Sequence, residues 1–520
     1  MIKRLFLSFG LLVSALCVAA GDFGVNARCE FFSIPVVMGR SFNLSSKIVL
    51  NLGKEASVER LDIVMGRETA KVIDSLSLYL MEGDGGFGSS KTTKVSSFAA
   101  GQYLRVAIDS LLPAGKHSLF LTLKPSSKAK MTSMVSVKPI GVVVDGELHA
   151  ILPDGQCEQR LAVSVRRSGD DGVHSYRIPG IVTAKNGDLL AVYDIRRNSS
   201  ADLQGDIQIG LSRSRDKGRS WLPMQVAVDM RGYAGAPDDE NGVGDPALLI
   251  DKKSGDAIIM GLWAHGIKGK ASWFNLKQGM TPEEEAAQVV IARSTDNGVT
   301  WSKPVNITSQ IKDPSWHILL QGPGRGITME DGTLVFPFQY LDSVRMPHAT
   351  IVWSRDGGHT WTVGNPARSN TTEAQVVETE PGVLMLNMRD NRGQWRAVMT
   401  TSDLGKTWKE HSTNRKALVE PVCMASLIKT KARDNATGTD LLIFSNPADK
   451  KYRRNMTIKV SRDGGLTWAD EDSLLIDTRE SWGYSCLTMI DKNTVGLLYE
   501  AGTPELLFMA VPLRDLVKKR

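Results

Sequence analysis

The chain has 520 residues, of which 42% are hydrophobic and 23% charged, and its formal net charge at pH 7 is +6. The length exceeds that of one compact core, and the composition excludes a disordered or fibrous protein. The basic excess suits an acidic ligand, but charge alone does not separate nucleic acid, an anionic surface and an anionic sugar.

The first twenty residues differ from the rest of the chain. Lys3 and Arg4 precede an apolar run from Leu5 to Ala20, which is short and interrupted by serine and glycine. This pattern predicts a signal peptide over residues 1–20 rather than a membrane anchor. We therefore expect an exported protein that is periplasmic, associated with the outer surface or secreted, without membrane insertion.

Export bears on the cysteines. Removal of the signal peptide leaves Cys29, Cys157, Cys423 and Cys486. Four cysteines in an oxidising compartment could form two disulfides with three possible connectivities, and their spacing does not choose among these. No cysteine pair or histidine cluster has zinc-site spacing, so we predict neither a metal nor a cofactor.

Residues 24–150 show the alternation of apolar and polar residues that is typical of strands. Examples are residues 46–52 and 117–123, and residues 83–90 read as a loop. The pattern predicts a β-sandwich domain. Carbohydrate binding and simple packing against the following domain are both open as its role.

A short motif, SxDxGx[ST]W, recurs five times after residue 200. The copies begin at Ser214, Ser294, Ser354, Thr401 and Ser461, and threonine replaces serine in the fourth. The aspartate can accept hydrogen bonds from the turn, the glycine supplies a special backbone conformation, and the tryptophan packs beneath. We interpret each copy as a structural hairpin turn, because an active site is built once whereas this motif is repeated.

The spacing of these motifs predicts the architecture of residues 160–520. Successive motif tryptophans are 80, 60, 47 and 60 residues apart, and a strand-like run precedes each motif. Units of about fifty residues made of short strands indicate β-propeller blades. The region has room for six or seven blades, and the wide first interval could hold a blade without a motif or an insertion.

The segment Ser175-Tyr-Arg177-Ile-Pro-Gly180 lies ahead of the first motif. It resembles the FRIP motif that opens the propeller of sialidases, and the chain from about residue 160 to 520 is similar to Bacteroides-type bacterial exo-α-sialidases. The resemblance implies an all-β protein, with a six-bladed β-propeller catalytic domain preceded by the β-sandwich.

The resemblance also implies roles for particular residues. The catalytic residues would be the acid/base Asp202, the base Glu373 and the nucleophile Tyr484. Substrate would be bound by Arg177, Arg196, Asp245, Arg389 and Arg453, with Glu500 as the acidic partner of Arg177. Arg197 and Arg454 are the adjacent alternatives to two of these arginines; for Arg453 the choice rests on its position two residues before Asn455. Trp263, Trp273 and Phe274 would form either an apolar acyl pocket or core packing.

Chemistry explains these residue types. Three arginines can clamp the carboxylate of sialic acid by charge-assisted hydrogen bonds. That carboxylate would repel an attacking Asp or Glu, whereas a neutral phenol activated by a glutamate avoids the repulsion. We expect retention of configuration.

Three functions follow as hypotheses. The first is a retaining exo-α-sialidase, a glycoside hydrolase that acts on sialylated glycans, as a monomer without nucleic acid. The second is a trans-sialidase or an anhydro-forming sialidase with the same residues. The third is a sialic-acid-binding lectin or adhesin, which predicts loss of Asp202, Glu373 or Tyr484; all three are present.

Overall fold

A computed structural model describes residues 24–83, 85–88, 91–203, 205–264, 272–433 and 438–517. The predicted signal peptide of residues 1–20 lies outside the described residues and stays a prediction. No helix within these ranges is long and apolar enough to span a bilayer. The chain divides into two compact units, one of Met1–Phe32, Arg40–Lys128 and Val135–Glu158, the other of Ser33–Gly39, Ala129–Met134 and Gln159–Arg520.

The N-terminal unit is a β-sandwich of two sheets. The first sheet has the strand order Leu152–Asp154, Val25–Phe31, Asn43–Leu52, Gly115–Pro125, Ile73–Glu82 and Thr92–Ala99; the second has Glu147–Ala150, Met134–Val144, Ala56–Met65 and Tyr103–Leu112. A helix, Arg67–Val72, connects the two sheets. Both strands predicted from alternation lie inside observed strands. In the first, Ile48, Leu50 and Leu52 face the core, whereas residues 117–123 of the second are buried on both faces.

The second unit is an all-β propeller of six four-stranded antiparallel blades. From the innermost strand outward these are Ser175–Thr183, Leu189–Arg196, Ile207–Ser214 and Gln225–Val228 (blade 1); Gly242–Ile250, Ala257–Ala264, Gln288–Ser294 and Val305–Asn306 (blade 2); Leu319–Gln321, Leu334–Leu341, Pro347–Ser354 and Thr362–Val363 (blade 3); Thr371–Glu380, Val383–Asp390, Ala397–Thr401 and Lys409–Glu410 (blade 4); Ser426–Arg433, Asp440–Pro447, Met456–Ser461 and Ser473–Asp477 (blade 5); Ser485–Asp491, Thr494–Glu500, Glu505–Pro512 and Glu158–Arg167 (blade 6).

Short elements complete this unit. The remaining strands are Val36–Val37, Gly324–Arg325, Ile327–Thr328, Arg368–Ser369, Gln394–Trp395 and Val419–Glu420; the helices are Ser272–Asn275, Thr308–Ile311 and Leu513–Leu516, with short 3-10 turns at Asp170–Gly172, Tyr233–Gly235, Asp238–Glu240, Pro282–Glu284 and Asp470–Asp472. The wide first interval between motifs holds an insertion between the second and third strands of blade 2, rather than a further blade.

The repeated motif joins the third and fourth strands in blades 1 to 5, so each copy is a hairpin turn as predicted. Blade 6 has no motif, because its fourth strand comes from the start of the unit, where Val163 pairs with Phe508. Six blades therefore carry five motifs.

Each motif satisfies its own turn. In the first copy, Asp216 accepts hydrogen bonds from Ser214 Oγ (2.8 Å), the Ser220 backbone (2.9 Å) and Ser220 Oγ (2.6 Å). Gly218 has φ 87° and lies against the Phe508 ring, where a Cβ atom would come within 1.9 Å. The motif is thus a packing device, and its positive φ and close contact require glycine.

The four cysteines are all free, so the two disulfides that the sequence allowed are absent. Cys423 and Cys486 are buried in separate places: Cys423 Sγ lies 3.6 Å from the Trp482 carbonyl oxygen, whereas Cys486 Sγ accepts a hydrogen bond from the Ile181 backbone (3.3 Å). In the N-terminal unit, Cys157 Sγ contacts Ser136 Oγ at 3.1 Å. Each thiol therefore serves local packing.

We predict that Asp296→Ala lowers the midpoint of thermal unfolding at pH 7 by about 1–2 °C, since the lost hydrogen bonds contribute about 1 kcal/mol net. Burial acts against ionisation of Asp296, but hydrogen bonds from Thr300, Ser294 and Val299 lower its pKa to about 2. The contribution is therefore complete above the ordinary carboxyl pKa and is lost as the pH falls toward 2, so the difference from wild type should shrink there.

Circular dichroism at pH 7 and near pH 2.5 measures both effects. The control is Glu283→Ala, which removes an exposed carboxylate with no hydrogen bond or ion pair among the described residues. Equal midpoints for Asp296→Ala and wild type at pH 7 would contradict the assigned role.

Candidate active site

The predicted site residues all lie at one end of the propeller. In an antiparallel blade the innermost strand begins where the second strand ends, and Arg177, Asp245, Glu373 and Tyr484 lie in or just before the first part of innermost strands. The third strand begins at this same end of the propeller and runs away from it. The hairpin motifs, which follow the third strands, therefore lie at the opposite end. Residues far apart in sequence thus converge on one side of the ring.

Tyr484 and Glu373 are in direct contact. The Tyr484 hydroxyl donates a short hydrogen bond to Glu373 Oε1, and Arg389 Nη1 donates to Glu373 Oε2 (2.6 Å) and the Tyr484 hydroxyl (3.3 Å). Burial, then the negative charge of Glu373, raises the pKa of Tyr484 well above its ordinary value. The phenol is therefore protonated at neutral pH, with a carboxylate in place to accept its proton.

Glu500 holds Arg177 and Tyr484 together. Its carboxylate accepts hydrogen bonds from Arg177 Nε (2.9 Å), the Ile178 backbone (3.0 Å) and the Tyr484 backbone (3.0 Å). Ile178 has φ 58°, a strained conformation for a β-branched residue, at a bulge that breaks the strand register after Arg177. The strain places the guanidinium and the next N–H group on the same carboxylate.

Arg453 completes a ring of arginines around Tyr484. The guanidinium carbons of Arg177 and Arg453 lie 5.6 Å and 5.9 Å from the centre of the Tyr484 ring. Arg453 donates to the backbone oxygens of Trp482 (3.0 Å) and Val422 (3.1 Å). Neighbouring Arg454 instead binds Asp449 (2.7 Å). Both arginines lie in a turn before the third strand of blade 5, so this turn, rather than the alternation of a strand, directs their side chains to different partners.

Gly483 permits this approach. It has φ 86°, and a Cβ atom there would lie 2.8 Å from Pro447, 3.0 Å from Cys423 Sγ and 3.3 Å from Arg453 Cβ. Only glycine therefore allows Tyr484 and Arg453 to adopt these positions.

Asp202 is held by Arg196 in a loop of blade 1. Arg196 Nη1 donates to Asp202 Oδ1 (2.7 Å) and the Ser200 carbonyl (2.8 Å), while its Nε and Nη2 donate to the buried Asp194 (3.1 and 2.8 Å). Arg196, predicted to bind substrate, is 1% exposed and binds two carboxylates; its contact with substrate stays a prediction. Adjacent Arg197 binds Gln208 instead.

The charges around Asp202 favour its ionised form, whereas its predicted role as an acid requires the protonated form. Its side chain is 71% exposed toward the cavity mouth. Enclosure by the cavity walls opposes ionisation, but the positive charges of Arg196 and Arg177 lower the pKa of Asp202 below its ordinary value. An anion bound at Arg177 would offset that charge and raise the pKa again.

Asp245 and Asp194 form a pair of acids beside this loop. The Asp245 backbone, at φ 53°, donates to Asp194 Oδ1 (2.9 Å). Burial, then repulsion from Asp194 and Asp202, raises the pKa of Asp245 well above its ordinary value. Burial raises the pKa of Asp194 to about 6, against the opposing charge of Arg196. Of the two acids, Asp245 is therefore the one that repulsion from neighbouring carboxylates holds toward its protonated form, in which a carboxyl group can donate a hydrogen bond.

Five of these residues, Asp202, Asp245, Glu373, Arg389 and Tyr484, line a cavity of about 330 Å³. The apolar part of its lining consists of Ile178, Leu203, Leu262, Trp273, Phe274, Ile318 and Leu320. Phe274 is 73% exposed at the mouth. Trp263 is fully buried in the core between blades 1 and 2, so of its two interpretations core packing is correct.

Two residues that line the cavity, Arg389 and Thr372, each have a hydrogen-bond donor that is not used within the protein. Arg389 Nε is buried and has no acceptor among the described residues, and the same holds for Thr372 Oγ1. Among the described residues, Arg389 pairs with one carboxylate, that of Glu373, and Arg453 donates hydrogen bonds only to backbone oxygens. The arrangement is therefore suited to an oxygen-rich anion of sugar size.

Comparison with known proteins identifies the family. A family model described as a BNR repeat-like domain matches residues 187–497. The sialidase of Bacteroides fragilis (strain YCH46) is 52% identical over 412 residues, which are 79% of this chain and 76% of that protein. The chain belongs to the sialidase family.

Solved structures agree. The Hadza microbial sialidase Hz136 matches with a TM-score of 0.89 and 44% identity, covering 94% of this sialidase and all of that chain. The intramolecular trans-sialidase from Ruminococcus gnavus matches with a TM-score of 0.57 over 68% of this sialidase and 98% of that chain. At 18% identity, that likeness shows the fold alone.

Sequence reasoning missed several residues of this sialidase site. Asp194 holds both the Asp202 loop and the Asp245 turn, and Gln339, Thr372 and Asn391 line the cavity. Asp194 had a signal: it lies two residues before Arg196, so both side chains lie on one face of the strand. The other three had none, since isolated polar residues are common in loops.

We predict that Asp194→Asn lowers kcat/KM for a natural sialoside about 10- to 100-fold, because Arg196 loses its anchor and Asp202 is displaced. An aryl sialoside, whose leaving group needs little protonation, should lose less than about fivefold. A general structural effect would lower both rates equally, so this ratio tests the positioning role.

The matched control is Asp188→Asn, which removes a half-buried carboxylate from the same blade at the opposite end, where Asp188 lies 3.7 Å from Arg213. Equal losses on both substrates in Asp194→Asn, or no loss, would contradict the assignment.

Proposed function

We propose that this protein is a retaining exo-α-sialidase that releases terminal sialic acid from glycoproteins, glycolipids and oligosaccharides. The observation that carries the proposal is the contact of Tyr484 with Glu373, enclosed by Arg177, Arg389 and Arg453. A phenol and its base, with three arginines next to them, suit a substrate with a carboxylate on its reacting carbon. The presence of all three catalytic side chains favours an enzyme over a lectin.

Electrostatic attraction supports the carboxylate clamp. A cation about 4 Å from an anion contributes about 4 kcal/mol of attraction at an effective dielectric of about 20, before desolvation is subtracted. Arg389 offers a buried Nε with no other acceptor among the described residues, and Arg177 Nη1 is 3.7 Å from Asp202, too long for a strong hydrogen bond. These donors are therefore available to the substrate carboxylate.

In the first step, the glycosidic bond is exchanged for a bond to Tyr484. The phenol oxygen attacks the anomeric carbon while its proton passes to Glu373, and the bond to the leaving oxygen breaks as Asp202 gives that oxygen its proton. Arg389 stabilises the negative charge that develops on the phenol oxygen. The products are the free glycan and a tyrosyl-linked sialic acid.

In the second step, water takes the place of the glycan. Asp202, now a carboxylate, accepts a proton from water, whose oxygen attacks the anomeric carbon. The bond to Tyr484 breaks, and Glu373 returns its proton to the phenol oxygen. Two displacements at one carbon give net retention of configuration.

We predict that Tyr484→Phe lowers kcat by about 10³-fold or more and that Glu373→Gln lowers it by about 10²- to 10⁴-fold, because nucleophile and base act as one unit. Tyr193→Phe is the control: it removes the hydroxyl of a buried tyrosine that bonds Ser212, away from the cavity. A fluorogenic α-sialoside measures the rates.

Full activity of Tyr484→Phe would exclude the assigned nucleophile. Proton NMR of the wild-type reaction identifies the first product. Free sialic acid in the α configuration supports hydrolysis with retention, whereas a 2,7-anhydro sugar or a transfer product would establish the alternative activity.

We predict a difference between two pH profiles for a substrate with an alkyl leaving group. Asp202 must be protonated to act as an acid, and Arg196 and Arg177 lower its pKa in the free enzyme. The substrate carboxylate offsets part of this charge, so the alkaline limb of kcat should lie at higher pH than that of kcat/KM. Coincident limbs, or a reversed order, would contradict the role of Asp202.

A further inference from the structure

The turn that carries Arg453 also carries exposed lysines. Lys450, Lys451 and Tyr452 lie on the solvent side of this turn, next to the loop of blade 4 that contains Arg392 and Trp395. Lys450 Nζ lies 4.5 Å from the centre of the Trp395 ring, so the two loops touch. We call these five residues the cationic rim.

The carboxylate in this turn, that of Asp449, already binds groups other than the two lysine side chains. Asp449 accepts hydrogen bonds from the Lys451 and Tyr452 backbones (2.8 and 3.0 Å) and from Arg454 Nε (2.7 Å). The charge of Glu480 also acts on Arg454. Among the residues that the structure describes, neither Lys450 nor Lys451 forms an ion pair, and each instead lies over an aromatic ring.

The neighbouring loop adds positive charge. Buried Asp390 is shared by two arginines, since it accepts from Arg392 Nη1 (3.1 Å) and, by a short bond, from Arg415 Nη1. One carboxylate thus serves two cations. The cationic rim therefore carries more positive charge than its local carboxylates neutralise, and its lysines are held by rings rather than by acids.

The position of this charge relates to the leaving group. In a sialoside the carboxylate and the glycosidic oxygen are attached to the same carbon, so the departing glycan begins beside the carboxylate clamp. Arg453 belongs to that clamp, and Lys450 and Lys451 precede it in the same turn. Negative charge on a departing glycan that leaves past Arg453 would therefore meet Lys450 and Lys451.

We infer that the cationic rim binds the carboxylate of a second sialic acid, and that this enzyme prefers substrates in which sialic acid is linked to sialic acid. The inference rests on the proposed function and extends it to substrate class. Lys450 and Lys451 are compact, hydrated cations that suit one carboxylate at a partly solvated site, whereas the buried arginines next to Tyr484 suit the carboxylate of the reacting sugar.

The test compares kcat/KM for a disialyl lactose, in which the leaving glycan ends in sialic acid, with that for a monosialyl lactose, in which it is neutral. In Lys450→Ala/Lys451→Ala the ratio of the two kcat/KM values should fall about five- to tenfold, mostly through a higher KM for the disialyl substrate. Each exposed ion pair that is lost weakens binding by up to about fivefold. In 0.5 M NaCl the wild-type ratio should fall as well.

The matched control is Lys303→Ala/Lys406→Ala, which removes two exposed lysines near the hairpin motifs at the other end of the propeller. Its ratio should equal that of wild type. An unchanged ratio in Lys450→Ala/Lys451→Ala, or an equal fall in the control, would overturn the inference. A sulfated monosialyl lactose that depends on the lysines while the disialyl substrate does not would overturn it too.

Failure of the proposed function would look different. In that case wild type would cleave neither sialoside nor the fluorogenic substrate, and no ratio could be formed. Binding of the disialyl and monosialyl glycans to Tyr484→Phe, measured by calorimetry, would still test the rim, since this variant keeps Lys450 and Lys451. Equal affinities for the two glycans would then reject the inference.

Discussion

The buried carboxylate of Glu500 is the constraint on which the site depends. It accepts hydrogen bonds from Arg177, from the Ile178 backbone and from the Tyr484 backbone. Arg177 belongs to blade 1 and Tyr484 precedes blade 6, so this one group joins the first and last blades at the site. A buried charge that lost such donors would cost several kcal/mol, which makes the strained backbone at Ile178 tolerable.

Charge compensation explains how several arginines share one cavity. Arg177 is paired with Glu500, Arg389 with Glu373, and Arg196 with Asp194. Two of these acids have a second task, because Glu373 accepts the phenol proton and Asp194 anchors the Asp245 turn. Among the residues that the structure describes, Arg453 donates hydrogen bonds only to backbone oxygens, so the site is incomplete without an anion. A substrate carboxylate would complete the site and raise the pKa of Asp202, so that this group keeps the proton that its proposed role requires.

The propeller could be predicted from the sequence because the hairpin motif depends only on neighbouring residues. Five copies predicted five hairpins, and each lies between the third and fourth strands of a blade. Blade 6 could not be predicted from the motif, since its outermost strand, residues 158–167, pairs with a strand more than 300 residues later in the chain. At the site, the FRIP-like segment led to residues that the structure brings together. Local spacing did not reveal Asp194 as an anchor, the turn that separates Arg453 from Arg454, or the free state of the cysteines, because each depends on contacts between distant segments.

The central claim is that Tyr484 forms a covalent bond to sialic acid while Glu373 holds its proton. Incubation with a 2,3-difluorinated sialic acid, which slows the second step, followed by peptide mass spectrometry, tests this claim directly. The account predicts one added fluorosialyl group per chain, on the peptide containing Tyr484, and none in Tyr484→Phe. A label on Glu373 or Asp202, or turnover without any covalent species, would contradict it.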